Sequence, residues 1–202
     1  MAVKHFESIF KSGTVKGFKA GEVIVRDYFR DKALETTLKR KPEQILESKG
    51  AKANEVVTPT PGKMLMYQYD AKHKDTLPYW DMFPVIFPLE LYKDGWLGAN
   101  LHYLPPVHRI RLMDALYETI NNEKYDQTTK LEISYKILKA TASMKYYKPC
   151  IKRYLASHVK SRLVEIPIDE WDYAMFLPIA RFQKEAQRKV WDDSIKTIMG
   201  QK

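Results

Sequence analysis

The chain has 202 residues, 45% of them apolar, and its 34 Lys and Arg against 25 Asp and Glu leave a net charge of +9. That composition excludes a disordered tail, and the length fits one domain with its own core, or one domain plus an extended arm, but not two full domains. No apolar run nears the roughly 20 residues that span a bilayer, and the start Met1-Ala2-Val3-Lys4-His5-Phe6 has no apolar signal core. Neither membrane insertion nor secretion is expected, and the single Cys150, unable to form an internal disulfide or a CxxC zinc site, fits a reducing, cytosolic setting.

In chain order, residues 1–60 read as a partly extended arm. Gly13, Gly17 and Gly21 punctuate it, Val23 and Val25 with neighbouring aromatics suggest a strand over 21–29, and a short helix fits between Pro42 and Gly50. Thr58-Pro59-Thr60-Pro61-Gly62 marks the turn into a compact body, 61–202. There strands are expected over 64–69, 84–92 and 96–103, with Lys93-Asp94-Gly95 as a hairpin turn. Pro78, Pro84 and Pro88 cannot donate ladder hydrogen bonds, which points to an edge or to a bulged, bent strand. Pro105-Pro106 opens a helix whose apolar stripe runs from Val107 to Ile120, and Thr128-Thr129 caps a second over about 130–143. Pro149 opens a third, about 149–160, with Ile151, Tyr154, Leu155, His158 and Val159 on one face and Lys152, Arg153 and Lys160 on its flank. A short strand over 163–166, a helix over 170–177 capped by Asp169, and an amphipathic segment over 182–199 complete the reading. The fold class is α+β: a small bent antiparallel sheet or barrel packed with three to five helices and preceded by an extended N-terminal arm.

The charge is unevenly placed. Residues 134–164 hold eight cations (Lys136, Lys139, Lys145, Lys148, Lys152, Arg153, Lys160, Arg162) and no acid, so they carry nearly the whole excess. Tyr135, Tyr146, Tyr147 and Tyr154 lie among them, interleaving groups that meet phosphates with rings that stack on bases. Another anionic partner, or plain solvated surface over core tyrosines, would show the same pattern.

Motifs for chemistry are sparse. His5, His73, His102, His108 and His158 are scattered without metal-ligand spacing, so neither a metal nor a cofactor is expected. Cys150 beside Pro149 reads as a small buried residue rather than an activated thiol. Asp81, Glu90 and Lys93 approximate the carboxylate and lysine set of metal-dependent nucleases. The Glu-x-x-Lys spacing, however, turns Lys93 to the opposite strand face unless a bulge intervenes.

The run Thr76-Leu77-Pro78-Tyr79-Trp80-Asp81-Met82-Phe83-Pro84, followed by Asn100-Leu101-His102-Tyr103-Leu104-Pro105-Pro106, resembles a family of small virion or DNA-packaging proteins of large contractile-tailed bacteriophages. Residues 129–135 and 171–182 extend the likeness, which covers roughly 62–195 and leaves the arm outside. The resemblance implies a protein that binds and protects genome ends, or a part of the neck, tail or baseplate, present in the host cytoplasm during assembly and then in the virion. Joined to the charge pattern, it gives a non-enzymatic protein that binds DNA without sequence specificity. Lys145, Lys148, Lys152, Arg153, Lys160 and Arg162 would then hold phosphates, and Tyr146 or Tyr147 would stack on an exposed base. Expected partners are DNA and other virion proteins, with a homo-oligomer or assembly subunit left open and no membrane. A structural subunit that turns the same basic face to an acidic protein is the alternative, and a metal-dependent nuclease the third.

Overall fold

The computed structural model describes residues 4–15, 18–19, 26–27, 30–31, 58–176 and 178–200. The protein is α+β. Its main sheet has five antiparallel strands, β3 (Met64–Met66), β5 (Val85–Tyr92), β6 (Gly95–Asn100), β7 (Ile151–Leu155) and β8 (Val164–Ile166), in the order β7-β6-β5-β3-β8. Two short ribbons accompany it: β1 (Thr14–Val15) with β2 (Phe18–Lys19), and β4 (Trp80–Asp81) with β9 (Phe182–Gln183). The sheet is open, with β7 and β8 as its edges, rather than closed into a barrel.

Alternation along the strands builds two cores. Met64, Met66, Val85, Phe87 and Ala99 face a helical layer, while Leu65, Tyr67, Ile86, Trp96 and Tyr154 face the opposite side with Val159 and Leu163. The helical layer comprises α1 (His5–Ser12), α2 (Pro106–Ile120), α3 (Gln127–Ser143), α4 (Trp171–Phe176) and α5 (Gln187–Met199). Arg109 of α2 is 2% exposed and donates to the carbonyls of Leu104 and Met175, thereby tying α2 to the end of α4. Helix α1 also belongs to this layer: Phe6 is fully buried, its amide donates to Asp114, and its ring meets Tyr117 and Phe176.

Several boundaries differ from the sequence reading. Strand β5 is central rather than an edge, but it carries the bulge expected as the other possibility, between Pro88 and Glu90, and Pro88 is accommodated there because it lies past the last β3 partner, Ile86. Asp126, not Thr128 or Thr129, caps α3 by accepting from the Thr129 amide at 2.7 Å. The expected helix over 149–160 is instead a 3₁₀ segment, Lys145–Cys150, then β7, then a second 3₁₀ turn, Ala156–His158. The free edge of β6 takes Ile151 to Leu155 into five paired positions, and that pairing outweighs the helical spacing of the apolar residues. Residues 168–176 split into a 3₁₀ turn and α4 with no side-chain cap from Asp169, and 182–199 into β9 and α5. Of the expected strand 21–29 only Arg26 and Asp27 are described, and both are helical; the short helix over 42–50 lies outside the described residues.

Candidate nucleic-acid interface

The two runs of sequence that carried the family likeness meet in space. Asp81, at the end of β4, accepts from His102 Nδ1 at 2.6 Å, Asn100 Nδ2 at 3.3 Å, and the Phe83 and Arg181 amides at 3.1 Å each. Asn100 Nδ2 also donates to the Tyr154 hydroxyl at 3.0 Å, which ties β7 into the same network. Burial disfavours the Asp81 carboxylate, but the His102 charge and these donors outweigh it and hold its pKa below the usual carboxylate value. The network is a positioning device: it fixes the ends of β4 and β6 and the ring of Tyr154.

Above it lies an open cleft of about 590 Å³ between the loop 69–80 and the edge strand β7. Tyr79 and Trp80 supply half-buried rings, the buried Tyr103 lies 6.0 Å from Tyr79, and Lys72 and His73 stand exposed at the rim. Burial pushes the Tyr103 and Tyr154 phenols far above their ordinary range, so both stay neutral. The loop is held by Lys184, whose ammonium donates to the Asp75 and Leu77 carbonyls at 3.1 and 3.0 Å.

The cations read from the sequence do not share one helix flank. Lys145 and Lys148 project exposed from the 3₁₀ segment, and Lys160 from the loop after His158. None of the three has an ion pair among the described residues. On β7, successive side chains part to opposite faces. Lys152 shares the face of Tyr154 and places its ammonium 4.0 Å from the Tyr103 ring centre, where burial lowers its pKa. Arg153 turns away, pairs with Asp94, donates to the Trp96 carbonyl and covers the Tyr92 ring. Arg162 is half-buried and engaged. Tyr146 is 46% exposed and close to His108, whereas Tyr147 packs against the helix-side core.

Asp81 and Glu90 do not converge. Ile86, paired with Asn100, is four residues from Glu90, about 13 Å along the strand. Glu90 is exposed and accepts from the Tyr92 hydroxyl, and Lys93 lies in the hairpin turn. Among the described residues no three His, Cys, Asp or Glu side chains group as metal ligands. Cys150 is fully buried, and burial pushes its thiol up to about 12. No described helix is long and apolar enough to cross a membrane. No sequence motif shows the Asp81–His102 contact, because 21 residues separate the pair. The two family-like runs were its only trace.

Fold and site together define a small basic α+β protein that presents cations and aromatic rings beside the edge of an open sheet. Residues 25–194 match the family model of the phage T4 terminal DNA protecting protein, and the chain belongs to that family. Comparison with curated proteins returns no match, and neither does comparison with solved structures.

Proposed function

We propose that this protein binds the ends of linear phage DNA during assembly and packaging and shields them, gripping phosphates without reading sequence and breaking no bond. The observation that carries this reading is the acid-free segment 134–164, from which Lys145, Lys148 and Lys160 project into solvent with no carboxylate to neutralise them among the described residues. Family membership supports DNA termini as the partner of that charge. Exposed lysines on flexible stems follow a phosphate backbone without selecting bases, and Tyr146 beside them offers an exposed ring.

The test is a salt titration of binding to a short duplex. The affinity should fall steeply with salt, and replacing Lys145, Lys148 and Lys160 together by Ala should flatten the log–log slope by about 2 to 3, since each phosphate contact contributes about 0.9. Absence of binding at low salt, or an unchanged slope in the triple variant, overturns the reading. Displacement of DNA by an acidic protein but not by competitor DNA would favour the structural-subunit alternative.

A further inference from the structure

The cleft beside β7 contains a cation that the fold leaves unanswered. Lys152 is half-buried on the strand face it shares with Tyr154. Among the described residues no carboxylate or hydrogen-bond acceptor reaches its ammonium, whose one close partner is the face of Tyr103. Its neighbour Arg153 is the opposite case, engaged by Asp94 and by two carbonyls. A charge withdrawn from water without a partner is costly, so proteins pair buried cations or hold them for a ligand.

The surroundings define that ligand. Asp94 and Asp81 line the cleft, but the first is taken by Arg153 and the second by His102, Asn100 and two amides, so neither is free to answer Lys152. Tyr79 and Trp80 line the same cleft as half-buried rings. An anion joined to a flat, stackable group meets both requirements, and the cleft volume lies in the range of sites that enclose one small ligand.

We propose that this cleft seats the terminal nucleotide of a DNA end, with its phosphate on the Lys152 ammonium and its base against the Tyr79 and Trp80 rings. The inference rests on the DNA-end reading above and adds to it. An exposed lysine surface binds any stretch of duplex alike, whereas a cleft that receives an unstacked nucleotide selects a terminus, where unpairing costs least.

Three probes test it by fluorescence anisotropy: a blunt duplex with 5′-phosphates, the same duplex with 5′-hydroxyls, and a dumbbell of equal length closed by hairpins. The wild-type protein should prefer the phosphorylated open duplex to both others by about tenfold or more, the usual scale of a charge-assisted bond. Lys152→Met should abolish the phosphate effect and bring the open-to-dumbbell ratio toward one. Tyr79→Leu should lower that ratio while keeping a phosphate effect, which supplies a second variant if Lys152→Met does not fold. If no probe binds, or open and closed DNA bind alike, the DNA-end reading itself falls and the cleft with it. If the wild type prefers ends but both variants retain that preference, the cleft proposal is overturned and the reading stands.

Discussion

His102 donates its Nδ1 hydrogen to Asp81 across 2.6 Å, joining two chain segments through side chains that are each only 1% exposed. The bond closes a polar knot between the helix-side core and the aromatic core on the other face of the sheet, because Asn100 passes it on to Tyr154.

Asp81→Asn should therefore cost about 3 kcal/mol of stability at neutral pH, the scale for losing buried hydrogen bonds to a charged group. The sign of its pH dependence follows from the depressed folded-state pKa. The ionised carboxylate contributes fully above the unfolded-state pKa of about 4, and its contribution disappears as pH falls through the lower folded value. Denaturant melts of the two proteins should differ by a constant amount above about pH 5 and converge in acid. A variant as stable as wild type at pH 7 would show that the knot contributes nothing.

Phe6→Ala should destabilise the whole protein by about 3 to 5 kcal/mol, since the ring is fully buried between Tyr117 and Phe176. A single cooperative transition shifted to lower denaturant is the expected result. The domain boundary near residue 60 is tested by a second melt: a body lacking residues 1–60 that melts like the full chain would make α1 dispensable.

Cys150 should resist a thiol reagent at pH 8 in the folded protein and react at once in denaturant, because burial holds its pKa at about 12. The folded state keeps its thiol proton where the unfolded state, with a pKa of about 8.5, releases it, so this residue lowers stability as pH rises above 8.5. Rapid labelling of the native protein would refute the buried placement.

How far the sequence revealed the fold varied with the kind of signal. Helix α2 was legible because Pro105-Pro106 sets its start and a long apolar stripe follows, both local features. The hairpin at Lys93-Asp94-Gly95 was legible for the same reason, a local turn pattern, although what holds Gly95 there, a φ of 156° and the Tyr154 carbonyl where a Cβ would lie, is tertiary. Strand β7 was misread, since Ile151, Tyr154, Leu155 and Val159 recur at helical spacing while the decisive partner, the edge of β6, lies more than 50 residues earlier. The cation stretch was legible as composition, but not its division between exposed Lys145, Lys148 and Lys160 and half-buried Lys152, which depends on strand alternation. The aromatic cleft was legible only as two runs of familiar sequence, for nothing in their spacing says that they touch.

The docking of α1 bears on the order in which the chain can mature during synthesis. Its contacts are Asp114 and Tyr117 in α2 and Asp172 and Phe176 in α4, with His5 Nε2 2.7 Å from Asp172 Oδ1. Helix α1 thus has no complete seat until position 176 has been polymerised and has emerged. At 5 to 20 residues per second that is a wait of roughly 8 to 30 s, during which the Phe176 ring that meets both Phe6 and Phe10 is missing. Helix α1 is therefore made before both of the helices that seat it, and its docking waits on the later of the two.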